Sequence, residues 1–256
     1  MVLDQQEYEI MQPQFIRADV GTLPVSESFY SIQGEGPSTG TPAVFLRLQG
    51  CNLLCHWCDT TEVWTKGEVI SYKSLLDQWE EKGWLMALSH STTHLVVTGG
   101  EPLVRRRVLE SFFKELSDRL GHEPYIEVET NGTIWPDNDF DWYISQYNIS
   151  PKLVNSGMSY VRRVNQGVIK RYLDLSEFKS VAFKFVVSNR ADVEEIAKTY
   201  TMPFYIPDRL VWLMPCASSR GELYTTGRRV AELCKLYNYH YSSRLQIELW
   251  DKTTGV

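Results

Sequence analysis

Short apolar runs alternate along this chain with longer stretches of helical spacing. Residues 42–48, Pro-Ala-Val-Phe-Leu-Arg-Leu, read as a buried strand. Ser71 stands where a helix N-cap belongs, and Leu75, Leu76 and Trp79 follow at helical spacing, which predicts a helix to about residue 84. Residues 94–97 read as a strand, 104–120 as a helix, 125–129 as a strand, and 147–150 as a short strand stopped by Pro151. The pattern continues with a strand at 181–187, a helix near 191–199, a strand at 210–214 stopped by Pro215, a helix at 221–238 and a closing strand at 245–250. Residues 1–24 carry no firm pattern and are expected to form an N-terminal extension to one domain spanning 25–256. The alternation predicts an α/β protein with a mainly parallel sheet. In such folds chemistry collects just past the C-terminal ends of the strands, and every informative motif in this sequence falls there.

Composition narrows the class. A chain of 256 residues, 43% apolar, suits one large domain with a sizeable core. A net charge of −6 gives no electrostatic reason to expect a nucleic-acid partner. The apolar runs are strand-sized, far short of a membrane span, so no membrane association is expected. The start, with Asp4, Glu7 and Glu9, lacks the basic and apolar regions of a secretory signal, and a cytoplasmic protein is expected.

The chemistry is concentrated in Gly50-Cys51-Asn52-Leu53-Leu54-Cys55-His56-Trp57-Cys58-Asp59-Thr60. Three thiolates spaced C-x3-C-x2-C can hold three corners of a four-iron, four-sulfur cluster. Cys216 and Cys234 stand alone far downstream, so one iron would be left free to bind a small molecule. A structural zinc with His56 as fourth ligand is the competing reading, but zinc ligands usually come as two separated pairs. A disulfide framework fits poorly, because three of the five cysteines crowd one loop. The spacing, with Trp57 before the last cysteine, resembles the cluster loop of radical S-adenosylmethionine (SAM) enzymes. The resemblance implies that the open iron binds SAM and that an electron from the cluster cleaves it to a 5′-deoxyadenosyl radical.

Two glycine-containing segments add to this. Thr98-Gly99-Gly100-Glu101-Pro102 follows a strand and exposes backbone groups to a zwitterionic ligand; taken alone it is equally an ordinary turn. Gly34 and Gly36 flank Glu35, which by itself is most simply a surface turn. In combination they are narrower. Ile32-Gln33-Gly34-Glu35-Gly36, Arg47, the cysteine loop, Thr98 to Pro102, Glu129-Thr130-Asn131-Gly132, Ser150-Pro151-Lys152, Trp250 and Gly255-Val256 occur in that order. The set resembles the 7-carboxy-7-deazaguanine synthase family over nearly the whole chain after about residue 25.

That resemblance implies a modified, incomplete parallel (β/α) barrel of the radical SAM type and a homodimer. It implies a lyase that converts 6-carboxy-5,6,7,8-tetrahydropterin to 7-carboxy-7-deazaguanine with loss of ammonia, using a [4Fe-4S] cluster, SAM, Mg²⁺ and a reductant such as flavodoxin. Substrate contacts are then expected from Ile32, Gln33, Gly34, Glu35, Arg47, Thr98, Gln246 and Val256. SAM contacts are expected from Trp57, Cys58, Asp59, Gly100, Glu101, Glu129, Ser150, Pro151, Lys152, Met214, Pro215, Cys216 and Ala217. Cys51, Cys55 and Cys58 would ligate the cluster and Thr60 would offer its hydroxyl to Mg²⁺; no side-chain nucleophile is expected. Two departures stand out. Met214-Pro215-Cys216-Ala217 replaces the Gln-Pro-x-Asp of many relatives, and Gln246, or Glu248 two residues on, replaces their histidine. Glutamine can hydrogen-bond but cannot carry a proton at neutral pH. The alternatives are a radical SAM activase that makes a glycyl radical on a partner protein, and a non-enzymatic iron–sulfur or zinc module. The activase leaves the Gln33–Glu35 segment and Arg47 unexplained, and the module would not need Thr98–Pro102 or 256 residues of α/β scaffold.

Overall fold

The computed structural model describes residues 18–253 and residue 255. Its strands are β1 (Thr22–Ile32), β2 (Pro42–Leu48), β3 (Glu68–Ser71), β4 (His94–Gly99), β5 (Tyr125–Thr130), β6 (Gln146–Ile149), β7 (Ser180–Val187), β8 (Val211–Pro215) and β9 (His240–Tyr241). Among the described residues they form one nine-stranded sheet in the order β3-β1-β2-β4-β5-β6-β7-β8-β9. β1 is antiparallel to both of its neighbours, and every pairing from β2 to β9 is parallel. The two ends of the sheet, β3 and β9, are not paired to each other, so the barrel is incomplete.

The main crossover helices are α1 (Tyr72–Glu81), α2 (Arg106–Leu120), α3 (Gln166–Leu175), α4 (Arg190–Ile196) and α5 (Arg220–Tyr237). Local sequence starts most of them. The side chains of Ser71, Asn165 and Ser219 accept from backbone N–H groups of the first turn, and Asn189 with Asp192 forms a capping box. α1 ends earlier than its spacing predicts, because Gly83 turns the chain into the left-handed region with φ of 75°. α2 starts at Arg106 because Pro102–Arg105 first makes a tight 3-10 turn capped by Glu101.

Strand side chains divide cleanly. Val44, Leu46, Leu95, Val97, Ile126, Val128, Tyr147, Ile149, Phe183 and Phe185 pack outward against the helices in one continuous core. The other face, toward the lumen, starts apolar with Ala43, Phe45, Val96 and Phe29 and then turns polar with Glu127, Glu129, Gln146, Asn148 and Lys184. A buried polar face is costly unless its groups pair with one another. Here it marks the site.

Two sequence expectations change. Residues 245–250 are a helix, α6 (Leu245–Trp250), and not a closing strand. The sheet position beside β8 is taken by β9, which pairs Trp212 with His240 and Leu213 with Tyr241, and the 244–251 backbone closes on itself through Ile247 N to Arg244 O and Asp251 N to Ile247 O. In addition, β1 begins at Thr22, so Thr22 to Pro24, expected in the extension, already pair with Ser71, Ile70 and Val69. Residues 1–17 lie outside the described residues. No helix among the described residues is long and apolar enough to cross a membrane.

Candidate active site

The cysteine loop leaves the C-terminal end of β2. Cys51 and Cys55 are buried with Leu53, and Cys58, Trp64 and Met158 pack against them. Burial pushes all three thiols above their ordinary range, with repulsion adding to it from Glu101 and the other thiolates at Cys51, from Cys58 at Cys55 and from Asp59 at Cys58. Thiols of this kind stay protonated until a cation replaces the proton, which suits metal ligation. As they stand, no three His, Cys, Asp or Glu side chains among the described residues converge on a single ion. A cubane suits the thiols better than zinc, because its corner ligands need not meet at one atom. Cys234 is elsewhere, donating to the His240 carbonyl from α5.

The Thr98–Pro102 turn is stitched to this loop by backbone. Gly100 N donates to Leu48 O at 3.1 Å, and Glu101 N donates to Gly50 O at 2.8 Å. Approach is so close that a Cβ on Gly100 would lie 2.1 Å from Gly50 O, and one on Gly99 would lie 2.2 Å from Leu48 O. Glu101, expected to touch SAM, is buried and turned inward. Its carboxylate accepts from Leu103 N, Thr130 Oγ1 and Asn131 N at 2.7–3.0 Å, so it builds the turn that carries Asn131. Burial raises its pKa against those bonds.

Past β6, Ser150, Pro151 and Lys152 face the same loop. Lys152 Nζ donates to Ser150 Oγ at 3.0 Å and lies 5.2 Å from the centre of the Trp57 ring, whose Nε1 donates to Asn155 Oδ1. The Lys152 carbonyl is gripped from behind by Tyr200 and the buried Arg163. Met214 and Pro215 end β8, with Cys216 and Ala217 just beyond it. The structure thus brings the cluster loop, Gly100, Ser150 to Lys152 and Met214 to Ala217 to one end of the parallel sheet.

The substrate-side residues also converge. Ile32 ends β1, and the segment from Gln33 to Gly36 then crosses the lumen. Gln33 is buried, its amide donating toward Glu127 and Glu129 while Glu35 N donates to Gln33 Oε1 at 3.1 Å. Thr98 Oγ1 donates to Glu129 Oε2 at 2.8 Å. Arg47 lies beside Thr98 on β4 and Glu27 on β1, and its Nε is 2.7 Å from Glu27 Oε1. The same segment spans the open seam of the barrel. Leu245 N donates to Gly34 O at 3.0 Å, Gly36 N to Ser242 Oγ at 2.9 Å, and Gln246 Nε2 to Glu35 Oε1 at 2.8 Å. Gln246 therefore occupies the lumen position, whereas Glu248 is exposed and bonded to Ser243. Gln246 Oε1 is buried with no protein donor. Val256 lies outside the described residues, while Gly255 comes within 3.4 Å of Glu27 Oε2, measured from where its Cβ would be.

Two cations at the centre of this site escaped the sequence reading. Lys184 Nζ, on β7, is 2.5 Å from Glu35 Oε2 and 3.9 Å from Glu129 Oε1. Arg244 Nε is 3.1 Å from Glu35 Oε1, and its Nη atoms reach Ala217 O and Asp59 Oδ2. Burial opposes ionisation of Glu35, yet Lys184 and Arg244 outweigh it and hold the carboxyl far below its usual range. The signals existed: a lone lysine within Val-Ala-Phe-Lys-Phe-Val-Val, and two glutamates two apart in Tyr-Ile-Glu-Val-Glu-Thr, both on one face of otherwise apolar strands.

An incomplete parallel barrel with three thiols on one loop at its C-terminal end is the arrangement of a radical SAM protein, and residues 46–155 match the model of the radical SAM superfamily. Similarity extends over the full domain. The chain is 36% identical to the 7-carboxy-7-deazaguanine synthase of Pyrobaculum aerophilum, covering 90% of this chain and 96% of that protein. It is 34% identical to that of Hyperthermus butylicus, covering 88% and 92%. The chain belongs to the 7-carboxy-7-deazaguanine synthase family. In fold it resembles the crystal structure of QueE from Escherichia coli, with a TM-score of 0.63 and 24% identity over 93% of this chain and 98% of that one.

Proposed function

We infer that the chain converts 6-carboxy-5,6,7,8-tetrahydropterin to 7-carboxy-7-deazaguanine with loss of ammonia, a step of 7-deazapurine biosynthesis of the queuosine type. The observation that carries this reading is one lumen in which a carboxylate-rich polar wall faces an arginine directly beneath the cysteine loop. Carboxylates and amides suit the N–H-rich edge of a pterin, and a guanidinium suits its carboxylate. An activase or a simple cluster carrier has no use for that wall.

The [4Fe-4S] cluster and SAM supply the radical chemistry when bound. Cys51, Cys55 and Cys58 would hold the cluster. Gly100, Trp57, Asp59, Ser150, Pro151, Lys152 and the Met214 to Ala217 segment would cradle SAM. Ile32, Gln33, Gly34, Glu35, Thr98 and Gln246 would orient the pterin, with Glu129 between the two ligands and Arg47 on the carboxylate. Thr60, whose Oγ1 lies 4.0 Å from Cys58 Sγ and 3.4 Å from Asp59 Oδ1, would lend an oxygen to Mg²⁺ at the rim of the cluster loop. A cytoplasmic homodimer reduced by a flavodoxin-type donor completes the reading. The test is an anaerobic assay with the carboxypterin, SAM, Mg²⁺ and a reductant, with the product read by mass. Carboxydeazaguanine is the expected product, and its absence from cluster-loaded protein refutes the reading.

A further inference from the structure

We propose that Lys184 is a positioning residue for substrate recognition: it fixes Glu35 and Glu129 so that both present carboxylate oxygens to the N–H-rich edge of the bound heterocycle. The proposal rests on the reading above and adds a residue that touches no ligand itself.

The geometry carries it. Lys184 is buried on β7, where an uncompensated ammonium would be expensive. It lies between the two carboxylates, at 2.5 Å from one and 3.9 Å from the other. A carboxylate has roughly four acceptor positions. On Glu35, Arg244 and Gln246 occupy Oε1, and Lys184 takes one position on Oε2. The acceptor capacity left on Oε2 therefore points where Lys184 directs it. On Glu129, Thr98 and Gln33 already donate, one to each oxygen. Lys184 places one cation between the two carboxylates, offsetting their mutual repulsion. Every charged group near Glu35 enters this balance: Lys184 on β7, Arg244 before α6, Glu129 and Glu127 on β5, and Asp59 through Arg244. Arg244 cannot replace Lys184, because its other nitrogens are committed to Ala217 and Asp59.

The test compares Lys184→Met, Glu35→Gln and the double variant as cluster-loaded holoenzymes. KM and kcat for the carboxypterin and KM for SAM are measured across pH. Lys184→Met should raise KM for the pterin about 10- to 100-fold, the loss of an ionic hydrogen bond to the group that reads it, and leave KM for SAM within about twofold. Its acid limb of kcat/KM should move to higher pH, because Glu35 then protonates more easily. In the Glu35→Gln background, adding Lys184→Met should raise KM for the pterin clearly less than it does in wild type, the remaining increase passing through Glu129. The double variant also removes both buried charges together, so it keeps the comparison available if Lys184→Met alone folds poorly. Equal penalties in both backgrounds, or an acid limb that stays put, overturn the role of Lys184. Wild-type enzyme that binds no carboxypterin would instead overturn the functional reading on which the proposal stands.

Discussion

Replacing Gly100 with alanine asks whether the cluster loop and the Thr98–Pro102 turn are one mechanical unit. The added Cβ would lie 2.1 Å from Gly50 O, 2.4 Å from Gly50 C and 2.9 Å from Cys51 N. All three are backbone atoms, so no rotamer change relieves the clash, and the two segments must part by about an ångström to reach ordinary contact. Overpacking of this kind costs about 1–3 kcal/mol. The parting also stretches the bonds from Gly100 N to Leu48 O and from Glu101 N to Gly50 O, each worth about 1 kcal/mol net. A loss of about 2–5 kcal/mol is expected, which most domains survive. The displaced atom chain includes Cys51, so iron retention should fall further than stability. Urea midpoints of the metal-free protein give the first quantity, and iron per chain after anaerobic reconstitution gives the second. A Gly100→Ala protein with full iron and an unfolding free energy within about 0.5 kcal/mol of wild type would refute the coupling. Gly34→Ala is the contrast. There the Cβ meets the tip of the Gln246 amide at 1.9 Å, which can swing away, and the Gln246 backbone nitrogen only at 3.1 Å, so stability should fall less than in Gly100→Ala while the bond from Gln246 to Glu35 is lost.

Cys51→Ala, Cys55→Ala or Cys58→Ala should each abolish reductive SAM cleavage, whereas Cys234→Ala should keep its iron; loss of the cluster in Cys234→Ala would reveal a fourth ligand. Arg47→Lys keeps a charge but not the fork, and should raise KM for the carboxypterin more than KM for SAM; matched changes in the two constants would remove Arg47 from the pterin site. Thr60→Ala should weaken Mg²⁺ activation with cluster content intact, and an unaltered Mg²⁺ response would place the ion elsewhere. The ion pairs hold Glu35 below its unfolded value of about 4.3, so its stabilisation is present above that pH and is lost as acid approaches the folded value. The gap in urea midpoint between wild type and Glu35→Gln should accordingly narrow from pH 6 toward pH 3; a constant gap would show that the pairs contribute nothing to folding.

Most parallel strands were legible because they are buried on both faces and read as continuous apolar runs, and the cysteine spacing announced its chemistry without any fold. The edges were less legible. β1 was hidden because Ser26, Glu27 and Ser28 interrupt its apolar positions, Ser28 being held inside by bonds to Trp79 and Phe45, so its period-two signal is diluted. The 245–250 segment mixes Leu, Ile and Trp with Gln and Glu, a pattern that fits a short helix as well as a strand, and the sheet slot had already gone to His240 and Tyr241. Lys184 and Arg244 were missed for a different reason. Neither lies in a motif, and although Lys184 stands alone in an apolar strand, the partner each shares, Glu35, is 149 and 209 residues away in the chain. The structural role of the Glu101 carboxylate was not legible either: a motif carboxylate facing a ligand and one holding a turn look alike in sequence.

The bridged seam has a consequence for how the molecule assembles. The bonds that join Gly36 to Ser242, and Glu35 to Arg244 and Gln246, link positions 206 to 211 residues apart, among the most distant pairs the chain makes. Neighbouring strands from β4 to β8 follow one another in sequence and zip through short crossovers, while the seam must wait for nearly the whole chain. Loop closure over that separation is slow, so these seam contacts are expected to form late in folding. Because the same bonds hold Glu35 in place, the proposed substrate pocket would take its final shape only with them.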